Sequence, residues 1–265
     1  MTYISYFGAR YYDSDLSVWL SVDPMSDKYP HQSPFMYCSG NPVMRIDPNG
    51  NDDFTIDKKT GDVKLVKKTD DETDRVVKTY SSGKRKGEVK YDRKGEAKTA
   101  FGGVEKGILS DGINFQENDN IIEVGGKGQA TVDGVKSFTL QLSEYVGREI
   151  KGFSYSSKSD GNISHMLLCN YKNNGLMESY GSARALIEKF GADFSFNNIY
   201  QQFHTHPFGE LGATKYAPEK SGDVEALQND RPFIPNASFI ILYRGASQKK
   251  PEEYDYTHEY KPVIK

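Results

Sequence analysis

Ala237-Ser238-Phe239-Ile240-Ile241-Leu242-Tyr243 is a near-continuous apolar run. A strand of this kind has no face suited to water, so it belongs in the interior of a sheet that is covered on both sides. The flanking sequence supplies the covering layers. From about Phe101 onward the apolar content rises and strand-like pieces alternate with helix-like ones. Strands are expected over Asn120 to Val124, Gly152 to Tyr155, Ser164 to Tyr171, Ile199 to His206 and Ser238 to Arg244. Helices are expected over Ser182 to Phe190, closed by Gly191, and over Asp223 to Asn229. The expectation is an α/β (α+β) domain over residues 104–265, with a mixed sheet and flanking helices. Tyr254, Tyr256, His258 and Tyr260 alternate beyond it and read as a terminal edge strand.

The chain's 265 residues suffice for a core that needs no metal to hold it together. A net charge of -3 and a pI near 6.0 argue against a general binder of nucleic acid or anionic membrane, despite local basic spots at Lys84-Arg85-Lys86 and Lys249-Lys250. Cys38 and Cys169 are far apart and form neither a disulfide framework nor a cysteine zinc motif. The start, Met1-Thr2-Tyr3-Ile4-Ser5-Tyr6, lacks a basic and apolar signal pattern, and no run has the length of a spanning helix. Any export is therefore expected to use something other than a cleaved signal.

Residues 51–103 are the most polar part, with short alternating pieces such as Val63-Lys64-Leu65-Val66 and Arg75-Val76-Val77-Lys78. They read as a linker or small β extension without chemistry of its own. Residues 1–50 are instead rich in Tyr, Pro, Asp and Gly, a series of short aromatic strands separated by turn dipeptides.

The candidate chemistry centres on Phe203-His204-Thr205-His206-Pro207 and Ser221-Gly222-Asp223. On a strand, residues two apart share a face, so His204 and His206 can present two imidazoles to one metal ion. Pro207 ends the strand because it cannot donate to the ladder. Asp223 sits at a helix start, where a turn can bring its carboxylate back as a third ligand. Three protein ligands with an open position describe a catalytic rather than a structural zinc. A general base is then required, and Glu149, just ahead of the strand at Gly152, is the candidate, with Glu144 and Glu178 as competitors.

Two resemblances follow from these residues. Phe7-Gly8-Ala9-Arg10-Tyr11-Tyr12-Asp13, then Trp19-Leu20-Ser21-Val22-Asp23-Pro24, then Asn41-Pro42 and Asp47-Pro48-Asn49-Gly50 resemble, in order, the C-terminal end of an Rhs repeat-associated core. That family's core is a β-cage enclosing a variable toxin domain. The set Glu149, His204-Thr205-His206-Pro207, Ser221 and Asp223 resembles the JAMM (MPN-type, JAB-like) metalloprotease motif of toxin domains in bacterial polymorphic toxins. The resemblance implies a JAB/cytidine-deaminase-like fold with Zn2+ on His204, His206 and Asp223, Glu149 as proton shuttle and Ser221 as oxyanion stabiliser. It also implies peptidase or isopeptidase activity on a protein substrate, ubiquitin-like substrates included, with a cognate immunity protein and the Rhs cage as partners. No nucleic-acid or membrane partner is expected, and the protein would be made in the bacterial cytoplasm and delivered as an effector.

Sixteen residues, Pro207 to Gly222, separate His206 from Asp223, more than the family's usual spacing, so Phe208 to Lys220 reads as an insertion that forms a lip and sets specificity. Ser221 precedes Asp223 by two positions where the family has three. Two other classes stand beside this reading: a nuclease toxin tip, and a metal-free JAB-like interaction module.

Overall fold

A computed structural model describes residues 52–68, 72–112, 114–117, 119–158, 160–171, 183–207, 222–244 and 251–259, together with three strands at 4–6, 11–13 and 18–19. The chain divides into two compact units, Met1–Gly50 and Asn51–Lys265. In the first, β1 (Ile4–Tyr6), β2 (Tyr11–Asp13) and β3 (Val18–Trp19) form an antiparallel sheet in the order β1-β2-β3, with Tyr6 opposite Tyr11 and Tyr12 opposite Trp19. The remaining residues of the three N-terminal motifs lie outside the described residues.

The larger unit is mixed α/β and contains two mixed sheets. β4 (Asp52–Ile56), β5 (Val63–Lys67), β6 (Thr73–Val77) and β7 (Thr99–Glu105) form the first, in the order β5-β4-β6-β7. This is the stretch whose polarity reads as a linker or small β extension. It is a sheet with a buried face, because Phe54, Ile56, Val76 and Val104 are apolar at the positions that turn inward, and they join the main core. The outer strand β5 keeps Leu65 and Val66 exposed, and the segment's polarity comes from the lysines, aspartates and threonines around it, such as Lys58-Lys59-Thr60 and Lys67-Lys68-Thr69-Asp70.

The second sheet has six strands in the order β13-β12-β11-β9-β10-β8. They are β8 (Asn120–Glu123), β9 (Lys151–Tyr155), β10 (His165–Leu168), β11 (Ile199–His206), β12 (Ser238–Arg244) and β13 (Pro251–Asp255). Only the β11–β12 pair is parallel. The apolar run of β12 divides by parity between two cores: Ile240 and Leu242 face one, Phe239 and Ile241 the other. β10 does the same, with Met166 and Leu168 on one side and Leu167 on the other. Burial on both faces is why these strands are apolar throughout.

After the short α1 (Ile108–Asp111), the helix α2 (Val132–Val146) fills the first core, packing on both β7 and β11. Val135, Phe138 and Leu142 recur at helical spacing and are buried. Thr131 caps its start, the hydroxyl accepting from the Gly134 N–H at 2.9 Å, and Gly147 ends it with a left-handed φ of 73°. The second core is covered by α3 (Arg184–Phe190) and α4 (Gly222–Asp230), which contribute Ala185, Leu186 and Leu227. Among the described residues no helix is long and apolar enough to cross a membrane.

Candidate metal centre

The centre is assembled at the C-terminal end of β11. Gln202, His204 and His206 project from one face of that strand, and Phe203 and Thr205 from the other, where α2 lies. β11 can run tight against β9 because Gly152 stands opposite Phe203: a Cβ there would lie 2.3 Å from the Phe203 ring and 2.9 Å from the Leu167 carbonyl oxygen. The two histidine Nε2 atoms are 3.2 Å apart.

Asp223 reaches them from α4. Along that helix Asp223, Leu227 and Asp230 are the buried positions, an i, i+4, i+7 stripe facing the sheet. Leu227 enters the second core, and Asp230 accepts from Lys151 Nζ at 2.9 Å, an ion pair in which both side chains are 5% exposed. Lys151 is the ladder partner of His204, so this pair fixes the far end of α4 to the sheet beside the metal strand. At the near end Asp223 Oδ1 lies 3.3 Å from His204 Nε2 and its Oδ2 lies 3.8 Å from His206 Nε2.

Glu149 arrives by a different route. The left-handed Gly147 turns the chain off α2, its N–H bonding to the Ser143 carbonyl at 2.8 Å, and β9 begins at Lys151. The turn between them carries Glu149, whose Oε1 is 3.9 Å from His206 Nε2 and whose side chain is 40% exposed. Glu144 is engaged elsewhere, bound by two N–H groups of Arg244 at 2.6 and 2.7 Å. Glu178, Ser221 and the segment Phe208 to Lys220 lie outside the described residues.

The electrostatics suit cation binding. Burial, then the neighbouring His204, push the His206 imidazole down to about 4 against the pull of Asp223, so near neutral pH it is uncharged. Burial pushes the Asp223 carboxyl up, but the hydrogen bond and charge of His204, with His206, outweigh it and hold the carboxyl below its ordinary value. Burial raises Glu149 above the usual carboxylate range, with His204 opposing and Asp223 reinforcing.

His204, His206 and Asp223 together can hold a metal ion: one ligand atom from each lies within 4.8 Å of the others. Tetrahedral zinc with bonds of about 2.0–2.1 Å separates neighbouring ligand atoms by about 3.3 Å. The two Nε2 atoms, 3.2 Å apart, and Asp223 Oδ1, 3.3 Å from His204 Nε2, lie near that edge, whereas the 3.8 Å from the other oxygen, Oδ2, to His206 Nε2 is longer. Among the described residues His204 Nδ1 is buried with no hydrogen-bond partner, and the Tyr256 hydroxyl, also buried and unpartnered among them, belongs to a ring standing edge-on to the His204 ring at 6.0 Å. A ligating histidine ordinarily has its second nitrogen supported by a polar group, and among the described residues none bonds to His204 Nδ1.

Sequence reasoning places the two histidines, Asp223 and Glu149 together, and they do converge. It misses Lys151, Asp230 and Tyr256. Nothing local marks Lys151 and Asp230 as partners, since they meet only through the pairing of β9 with β11. Tyr256 lies just past β13, where the alternation suggests an edge strand rather than a side chain turned wholly inward. Searched against protein-family models, curated proteins and solved structures, the chain matches none of them.

Proposed function

We propose that the larger unit is a zinc-dependent hydrolase of the JAMM type, a peptidase or isopeptidase with a JAB-like fold, serving as the effector domain of an Rhs-type polymorphic toxin. The observation that carries the reading is the convergence of two imidazoles and a carboxylate, with one ligand atom from each within 4.8 Å of the others and Glu149 beside them. The N-terminal tyrosine-rich motifs support the toxin context.

A zinc ion held by His204, His206 and Asp223 would polarise a scissile carbonyl and lower the pKa of a water toward about 7. The chain's own residues do the rest. Glu149 takes a proton from the attacking water as its oxygen bonds to the carbonyl carbon. When the carbon–nitrogen bond breaks, Glu149 returns that proton to the leaving amine. Its raised pKa suits both halves of this transfer. Ser221, two positions before Asp223, is the proposed donor to the oxyanion. Asp230 and Lys151 keep α4 in place, so that Asp223 meets the histidines without rearrangement.

Zinc-loaded protein should cleave peptide or isopeptide substrates, and His204→Ala should abolish the cleavage. Full activity in His204→Ala would refute the reading.

A further inference from the structure

The residue between the two histidines does more than fill a strand position. Thr205 projects from the opposite face of β11 and is fully buried. Its Oγ1 accepts from the Ile150 N–H at 2.9 Å, and its hydroxyl donates to Ser143 Oγ at 2.6 Å. The Ser143 hydroxyl in turn donates to the Arg148 carbonyl oxygen at 2.6 Å. This chain of bonds therefore starts at the peptide following Glu149 and ends at the peptide preceding it. Both peptide groups that flank Glu149 are held by one buried hydroxyl pair, and that pair is anchored between His204 and His206.

Strand pairing alone does not require these bonds. The ladder continues to this point through the Thr205 N–H, which donates to the Ile150 carbonyl at 3.1 Å. The Gly147 and Arg148 N–H groups both bond to the Ser143 carbonyl, at 2.8 and 3.2 Å, which completes the end of α2. What the hydroxyls add is control of the Arg148–Ile150 turn, a segment with Glu149 partly exposed at its centre. Ser143 and Thr205 are both sealed from water, so neither hydroxyl can exchange these bonds for bonds to solvent.

Resting on the hydrolase reading above, we infer that Thr205 and Ser143 are positioning residues that set Glu149 at its distance from the metal ligands. The His-Thr-His segment thus carries two functions on its two faces: histidines toward the metal, threonine toward the base. Valine at 205 keeps the shape and strand preference of threonine but removes the hydroxyl. Serine keeps the hydroxyl.

The test uses the full zinc-loaded chain with Thr205→Val, Thr205→Ser and Ser143→Ala, following amide exchange at Ile150, zinc affinity, and kcat and KM on a peptide or isopeptide substrate. Thr205→Val and Ser143→Ala should lower kcat by about 10- to 100-fold, with KM and zinc affinity within about twofold of wild type. Thr205→Val should also speed exchange of the Ile150 amide by about tenfold or more. Thr205→Ser should restore both. Unchanged kcat in Thr205→Val, or loss of zinc affinity along with activity in both Thr205 variants, would overturn the inference. Absence of turnover in wild type would remove the hydrolase reading instead, and the Ile150 exchange rates would still decide whether Thr205 holds the turn.

Discussion

In the four-stranded sheet the buried carboxylates meet fixed cations, whereas on the six-stranded sheet Asp223 meets two imidazoles. Asp53 is gripped by two N–H groups of Arg75. Asp74 and Asp52, opposite one another in the β4–β6 ladder, share Lys106, whose Nζ lies 2.6 and 2.8 Å from them. These acids are neutralised from within the chain, and their role is to hold strands together. The cluster of His204, His206 and Asp223 gathers nitrogen and oxygen lone pairs instead, with one imidazole held neutral. Similar buried acids thus make a structural bond at Asp53, Asp74 and Asp230 and join a cluster that could hold a cation at Asp223, according to which partners the fold places beside them.

The strongest way to separate the two cases is to remove a partner from each. Arg75→Ala leaves Asp53 buried beside the gap and should cost about 3–5 kcal/mol of stability in urea unfolding. Asp223→Asn in metal-free protein should cost far less, while weakening zinc binding by more than the ~100-fold typical of second-layer changes. Competition with a chromogenic chelator reads the affinity. Equal destabilisation by the two substitutions would erase the distinction.

In metal-free protein the two sheets should also respond oppositely to pH. His206 falls from an ordinary 6.5 to about 4, so in that window the unfolded chain binds the extra proton and stability is lost as pH falls. Asp74 is pushed up by burial from 3.8 to about 6, despite Lys106, so there the folded chain binds the extra proton and stability is lost as pH rises. The two contributions offset each other between about pH 4 and 6. Asp74→Asn should therefore leave stability rising with pH over that window, and His206→Ala should leave it falling. Urea titrations across the window check this, and parallel profiles in the two variants would contradict it.

The smallest effect is expected at Tyr256. Its hydroxyl is buried and has no hydrogen-bond partner among the described residues, so Tyr256→Phe should change stability by less than about 1 kcal/mol. Zinc affinity should stay within about tenfold of wild type, because the ring that stands edge-on to His204 is kept. A larger fall would promote Tyr256 from a neighbour to a principal support of the site.

How far the sequence carries the structure depends on how local each signal is. β11 and β12 were readable to the residue, because a two-sided apolar run and a terminal proline are properties of neighbours in the chain. α4 is readable from its start, where Asp223 stands in the first turn, but the buried stripe that continues to Asp230 is not. The long helix α2 was not read, although Thr131 and Gly147 mark both its ends. Asp133-Gly134 in its first turn and the scattered polar residues between Val135 and Leu142 hide the helical spacing. The four-stranded sheet was underestimated for a related reason: its inward residues are few, and the exposed β5 sets its tone. At the site, the His pair announces itself by spacing. Thr205 with Ser143 and Lys151 with Asp230 depend on register between distant segments, which no local pattern carries.

Elemental analysis of the purified full chain, wild type beside His206→Ala, tests the central claim most directly. The account predicts about one zinc per wild-type chain and its loss in the variant. No zinc in either protein after purification without chelators and with zinc supplied, or equal zinc in both, would contradict it.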